Sequence, residues 1–513
     1  MIPRERGEQG QAAVFAALFL VAVVVSVALL YNSGRLTLTK THLQNAADST
    51  AYSGALLLSR DYNFSAYANR AMVANQVAIA QMVGLRSWSR YYCTLYNDQC
   101  GNQNNPHGMP SQIRQVVGET KIGKVYGPTL KAYALNSKAI FTENQILDGP
   151  IAALSNTINT TLSGASGVYH AGILAEMGAL ATQSGILWRI LQDNDPKAQV
   201  STYGKVILAD DLQSITGFTR TYGQNYSGKK RFATVVTSGL DGFSRSRGSS
   251  ETLPYPLYNP AAFIPPPYPQ FKYHAFAQIW VTYTGGTELK NNFQSWNAMD
   301  VATISGYADF WFWVVTPWFS FPVMIPLPVE TNPSLFFNSV DMAHAAAGIG
   351  PAGSDPLGQS NNFGYETGSS SYGGSYGTNP GPANAQRSAG PGTAITTGYS
   401  GLLPYQAVSN TTASDFQAPI FTLVIDRPQN TVMTTTQIGV DKGAAALPGK
   451  EAGNQVEVIA SAQSHFVRPR QFRFLSNRVV YGNLFNPYWE PHLVSTPSTV
   501  SDAAVAAQMA GHG

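Results

Sequence analysis

The stretch RGEQGQAAVFAALFLVAVVVSVALLYNSGRLTLTKTHLQNAADSTAYSGAL, Arg6 to Leu56, decides how the rest of the chain is read. Its first half holds an uncharged, proline-free run of 20 residues, Ala12 to Tyr31. With a rise of about 1.5 Å per residue, a helix of that length spans the roughly 30 Å hydrocarbon core of a bilayer. A cleavable secretory signal has a shorter apolar core, about 7–15 residues, followed by a polar stretch and a small-x-small site. Ser26-Val27-Ala28 fits that site but lies inside the run, with Leu29, Leu30 and Tyr31 still to follow. The run therefore reads as an anchor that is kept. Arg4 and Arg6 precede it and Arg35 and Lys40 follow it, so the positive-inside rule gives only a slight preference for a cytoplasmic N-terminus.

Beyond the anchor the pattern stays helical. Leu36, Leu43, Ala47, Gly54 and Leu58 recur at helical spacing on one face, in a stretch rich in Ala, Ser and Gly that permits close approach of a second helix. Anchor and stem are thus expected to form one long helix. A second amphipathic helix is expected with Val73, Val77, Ala80, Gly84 and Trp88 on its stripe, and further stripes follow at Ile151, Leu154, Ile158 and Leu162, and at Ile173, Met177, Leu180, Leu187 and Leu191. From about residue 200 strand signals take over: His274 to Lys290 runs into Gly285-Gly286, a hairpin-type turn signal, and Ile420 to Ile425 and Gln455 to Ala462 read as strands. Residues 346–405 are rich in Gly, Ser, Tyr and Asn and read as a long loop without a core of its own.

The expected fold class is α+β, with a single N-terminal transmembrane helix continuing into a helical stem, then a large extracytoplasmic β-rich region with a long Gly/Ser-rich loop. The expected boundaries are 1–34 for leader and anchor, 35–199 for the helical stem, 200–345 for a β-rich region, 346–405 for the loop, 406–495 for a β-rich C-terminal region and 496–513 for a tail. A second uncharged stretch, Phe310 to Val329, carries Pro317, Pro322, Pro326 and Pro328, which is incompatible with a spanning helix. It reads as a strand over about 307–315 followed by a proline-rich arm. Its aromatics serve either as core or as a contact surface, with Trp311, Trp313, Trp318, Phe319 and Phe321 as the interface candidates.

Only 12% of the 513 residues are charged, and 32 Lys and Arg stand against 29 Asp and Glu. That balance, without a basic stripe, excludes nucleic acid as the leading partner. The two cysteines, Cys93 and Cys100, are separated by six residues, a loop that one disulfide closes outside the cytosol. No pattern points to a cofactor, a metal or a catalytic residue. Gly223 to Lys230 (GQNYSGKK) approaches a phosphate-binding loop but has Lys230 where a hydroxyl should hold magnesium, and reads as a solvated turn. Gly373 to Gly377 matches the G-x-S-x-G nucleophile elbow inside low-complexity sequence, not between a strand and a helix. The eight histidines form no HExxH-type pair, DNDP at Asp193 lacks the remaining ligands of a calcium loop, and DGFSRS at Asp241 is one residue too long for a D-x-S-x-S metal site.

Arg6 to Leu56 resembles the N-terminal module of the TadE/TadG-like Flp (tight adherence) pilus-assembly family. The resemblance lies in the charged leader, Gly10-Gln11, one membrane helix, Gly34-Arg35 and the LQNAAD stretch from Leu43 to Ala55. ASAQSHFVRPR and NLFNPYWEPHL (Asn483 to Leu493) are similar to the closing part of larger members. The resemblance implies a bitopic bacterial envelope protein, N-terminus cytoplasmic and bulk periplasmic or extracellular. Its implied partners are the inner membrane and other pilus-assembly or pilin subunits, with homo-oligomerisation a further expectation. Pilin members of the family carry Glu as the fifth residue after a cleaved Gly; counted from Gln11 that residue is Phe15. The expected function is therefore a membrane-anchored, non-enzymatic component of tight-adherence pilus assembly acting through protein contacts. The alternative is a minor pilin or tip-like adhesive subunit, incorporated after cleavage between Gly10 and Gln11.

Overall fold

The computed structural model describes residues 8–96, 121–257, 273–290, 293–312, 340–351, 394–395, 399–409, 417–432, 434–435, 455–467 and 482–510. The helices are α1 (Glu8–Tyr96), α2 (Lys121–Ala179), α3 (Gly185–Asn194), α4 (Thr202–Phe218), α5 (Tyr226–Ser238), α6 (Gly242–Arg245) and α7 (Ser498–Ala510). The strands are β1 (Gln199–Val200), β2 (Thr219–Tyr222), β3 (Arg247–Leu257), β4 (Tyr273–Lys290), β5 (Ser295–Phe312), β6 (Val340–Ile349), β7 (Ala394–Ile395), β8 (Tyr405–Val408), β9 (Gln417–Pro428), β10 (Gln455–Phe466) and β11 (Trp489–Val494). The chain is thus a mixture of helix and sheet, with a β-rich C-terminal part. Two compact units result, one of Met1–Arg70, Ser163–Thr221 and Tyr405–Gly513, the other of Ala71–Leu162 and Tyr222–Pro404.

Anchor and stem do form one helix, and it continues where a separate second helix was expected: α1 runs unbroken for 89 residues. Strands begin at β1, close to the expected position, but helices alternate with them up to residue 245. Residues 202–218 and 226–238 are helices, because Ser201 and Asn225 cap them by accepting from the amides of Gly204 and Gly228, both at 2.9 Å. Within the expected tail, residues 498–510 form α7. Most of the expected Gly/Ser-rich loop, 352–393 and 396–398, lies outside the described residues.

In the first unit β1, β9, β10 and β11 form an antiparallel sheet in that order. Its core joins Leu43, Ala47, Ala51, Leu58 and Tyr62 of α1 to Met177, Leu187, Leu191, Leu208 and Phe218 and to Phe421, Leu423, Ile425 and Trp489 of the sheet. Gly204 lets α4 lie directly on β9, since a Cβ there would collide with the Val424 carbonyl oxygen.

In the second unit β3, β4, β5 and β6 pair antiparallel and β7 adds in parallel. Gly285 and Gly286 are not at the hairpin turn as expected; they lie within β4, opposite Asp300 and Met299. Gly285 stands between Arg247 and Asp300 in register, and a Cβ there would clash with the Asp300 carboxylate. Its absence lets Arg247 bind Asp300 across the middle strand, at 2.7 Å from Nε and 2.9 Å from Nη2. The Tyr283 hydroxyl donates to the same carboxylate at 2.5 Å, and burial together with that anion pushes the phenol well above its ordinary pKa. Nearby, Gln76 accepts from Trp296 Nε1 at 2.9 Å and from the Tyr399 hydroxyl at 2.6 Å, fixing α1 against this sheet through groups that are all buried.

Candidate membrane anchor and docking helix

Residues 12–31 of α1 have almost no cover from the rest of the chain, and Phe15, Phe19 and Leu30 are each more than 70% exposed. Among the described residues this is the helix long and apolar enough to cross a membrane. A helix apolar on all sides and left uncovered is costly in water and suited to a bilayer, where every backbone group is already hydrogen-bonded.

The environment changes within one residue. Asn32 is 1% exposed, donates from Nδ2 to Thr435 Oγ1 at 2.6 Å and accepts from the Thr435 amide at 2.8 Å. From there α1 carries a series of buried and half-buried polar side chains that satisfy the edges and carbonyls of its own unit. Gln44 donates to the Ile459 carbonyl at 3.0 Å, and Ser59 meets Ser464 at 2.8 Å. Asn63 binds both the carbonyl and the amide of Trp489, at 2.9 and 3.0 Å, as a neighbouring strand would. Asn69 donates to the Gln406 and Leu484 carbonyls at 2.7 and 2.6 Å. Between them the small residues Ala46, Ala47, Ala51, Gly54 and Ala55 are buried, and a Cβ on Gly54 would lie 2.7 Å from Phe421 Cδ1. The small-residue face therefore does approach a neighbour closely, but the neighbour is the chain's own sheet, not another helix.

One buried arrangement was not anticipated from the sequence. His170 Nδ1 lies 2.5 Å from Asp61 Oδ2, and His170 Nε2 lies 3.0 Å from Thr219 Oγ1. The order carboxylate, imidazole, hydroxyl matches that of a nucleophilic triad. Asp61 is fully buried and Thr219 is 4% exposed, which leaves the hydroxyl no access to a substrate. The relay instead ties α1, α2 and β2 together. No local signal links Asp61 to His170, 109 positions apart.

The other motif residues take structural roles. The phosphate-loop-like segment is the capped start of α5, a helix terminus where a turn was expected; its Gly228 amide is taken by Asn225. Asp241 caps α6 by accepting from the Ser244 amide at 2.8 Å and also accepts from Gln81, and those hydrogen bonds hold its carboxyl below the usual range. Asp195 of the DNDP stretch pairs with Arg427 at 3.0 Å. His465 and His492 pack with ring centroids 5.2 Å apart, and among the described residues no group of three His, Cys, Asp or Glu is placed to hold a metal. A surface depression lined by Leu212, Gln213, Thr216, Gly217 and Arg220 contains no carboxylate, imidazole or thiol.

Gly10 and Gln11 lie within the first turns of α1. Cys93 is buried and disulfide-bonded; the sequence has one other cysteine, Cys100, which lies outside the described residues. Trp311 is in β5, while Trp313, Trp318, Phe319, Phe321 and the Gly373 to Gly377 motif are outside the described residues.

An exposed apolar helix that passes without a break into a buried docking face defines a chain fitted for membrane anchoring. Residues 10–57, which contain both parts, match the Tad family model, Flp pilus-assembly TadE/G-like. The match bears out the resemblance seen in Arg6 to Leu56 and supports a part in pilus assembly alongside other components of that machinery. No curated protein and no solved structure matches the chain.

Proposed function

We propose that the protein is a membrane-anchored, non-enzymatic component of a tight-adherence (Flp-type) pilus assembly system. Residues 12–31 cross the bacterial inner membrane with the N-terminus in the cytoplasm. The remainder is periplasmic or extracellular and acts through protein contacts. The observation that carries this reading is the continuity of α1 across residues 10–57: the same helix is bare over the membrane-length run and locked to its own unit from Asn32 onward. The sealed Asp61–His170–Thr219 relay supports a structural role over a catalytic one. Phe15 at the fifth position, where a polymerising pilin of the family has Glu, and the helical setting of Gly10-Gln11 support an anchor that is retained over one that is cut.

The test is protease treatment of intact spheroplasts carrying the full chain with an epitope at each end. The proposal expects the C-terminal epitope to be lost and the N-terminal epitope, on a fragment containing residues 12–31, to be protected. Protection of the C-terminal epitope overturns the topology. Co-purification in detergent with no pilus-assembly subunit overturns the role.

A further inference from the structure

Arg35 stands where the apolar run of α1 ends and the folded part of the first unit begins. It lies four residues beyond Tyr31, so at a rise of about 1.5 Å per residue its Cα is about 6 Å past the end of the run. A bilayer of about 40–45 Å with a hydrocarbon core of about 30 Å leaves a polar layer of about 5–7 Å on each side. With residues 12–31 across the core, Arg35 is level with the lipid phosphates. That height is fixed, because α1 is unbroken here and Asn32 is bonded through both Nδ2 and Oδ1 to Thr435.

The side chain leans toward the bilayer. Cα–Cβ bonds of a helix tilt toward its N-terminus, which here is the membrane end. Arg35 follows Tyr31 by one turn on the same flank, and Tyr31 is exposed, an amphipathic ring at the depth where such rings settle. Arg35 itself is half-buried. Its Nε is buried with no hydrogen-bond partner, and among the described residues no carboxylate pairs with the guanidinium. A cation that gives up hydration without a partner is costly. A phosphate, whose oxygens match the guanidinium fork in two parallel hydrogen bonds, is the anion that this depth supplies.

Charge on the segment selects among lipids. Between Glu8 and Asp48 α1 has no carboxylate, and its charged side chains there are Arg35 and Lys40, both cationic. A zwitterionic headgroup brings its own ammonium group close to them, whereas an anionic phospholipid brings a phosphate with no compensating charge.

We infer that Arg35, with Tyr31 beside it, binds the phosphate of an anionic phospholipid in the leaflet that faces the folded part of the chain. The site rests on the reading of residues 12–31 as a membrane anchor. It holds α1 at one depth, so that the first unit sits directly on the headgroups.

The experiment titrates full-length protein in detergent with phosphatidylglycerol, phosphatidylcholine or inorganic phosphate and counts bound molecules by native mass spectrometry. Wild type is expected to bind phosphatidylglycerol at least about fivefold more tightly than phosphatidylcholine. Inorganic phosphate should neither bind nor compete. Arg35→Gln should abolish the preference, Arg35→Lys, which keeps the charge and loses the fork, should keep part of it, and Lys40→Gln should leave most of it. Circular dichroism and urea midpoints matching wild type confirm that the variants are folded; if Arg35→Gln fails this check, Arg35→Lys carries the comparison, with a fall of at least about twofold expected. Equal affinity of wild type for both lipids, a preference that survives Arg35→Gln or is lost with Lys40→Gln alone, or displacement by inorganic phosphate overturns the site. Alkaline carbonate extraction of native membranes separates the two claims. Release of wild type overturns the anchor and this site together, whereas retention without a lipid preference overturns the site alone.

Discussion

Replacing Gly54 by Ala adds one methyl group where α1 meets the Phe421 ring. The new Cβ would stand 2.7 Å from Cδ1 and 3.2 Å from Cζ of a ring that is fully buried in β9, so neither side can move aside into solvent. Overpacking of this kind costs about 1–3 kcal/mol. Against it stands the helix preference for Ala over Gly, worth up to about 1 kcal/mol. Because the new Cβ would overlap Cε1, Cδ1 and Cζ of the ring together, the upper part of the overpacking range applies, and the net expectation is a loss of about 1–2 kcal/mol. Urea unfolding of the full-length protein in detergent, followed by circular dichroism, reads it as a lower midpoint at unchanged slope. Phe421→Leu should relieve the clash, so the double variant Gly54→Ala/Phe421→Leu is expected to be more stable than the sum of its single effects, with a coupling of about 0.5–3 kcal/mol. If Gly54→Ala is neutral or stabilising, the small-residue face does not dock on the sheet and is free for another helix.

Three further outcomes follow from named contacts. Asp211 accepts from the Thr422 amide at 2.6 Å, and burial, opposed by that hydrogen bond and aided by Asp210, pushes its carboxyl up to about 7. A folded pKa above the unfolded value of about 3.9 means that stability is full below that pH and falls as pH rises to about 7. Asp211→Asn, which keeps the acceptor, should flatten that decline and stabilise the protein at pH 8 by at least about 1 kcal/mol, measured as urea midpoints at pH 5 and pH 8. Arg247→Met leaves Asp300 and Tyr283 buried without their cation and should cost about 3–5 kcal/mol, seen as loss of the folded baseline well before wild type. The pairing of Cys93 with Cys100 predicts that unreduced, denatured protein takes up no alkylating reagent, and incorporation of two labels per chain would refute it.

The sequence made the anchor plain because length and absence of charge are local properties, readable over Ala12 to Tyr31 without reference to the rest of the chain. The buried face of the stem was equally readable from the spacing of Leu43, Ala47, Gly54 and Leu58, but what covers it was not. Phe421 is 367 positions beyond Gly54, and no periodicity in either segment encodes their meeting. Helices 202–218 and 226–238 were hidden by glycines and β-branched residues that weaken helical periodicity, although the Ser201-x-x-Gly204 and Asn225-x-x-Gly228 caps were visible signals. Gly285-Gly286 misled in the other direction, since a glycine pair reads as a turn when its purpose is to make room for the Asp300 carboxylate. The stripe at 151, 154 and 158 was legible as apolar and helical, yet periodicity reports that a face exists and not which way it points.

A retained anchor separates a membrane-bound assembly component from a subunit released into the fibre. Mass spectrometry of the protein extracted from native membranes, covering both the intact chain and its N-terminal peptide, addresses this directly. A membrane-bound chain in which Gly10 and Gln11 remain joined is the predicted result. A chain that begins at Gln11, or one recovered in the pilus fraction and not in the membrane, would contradict it.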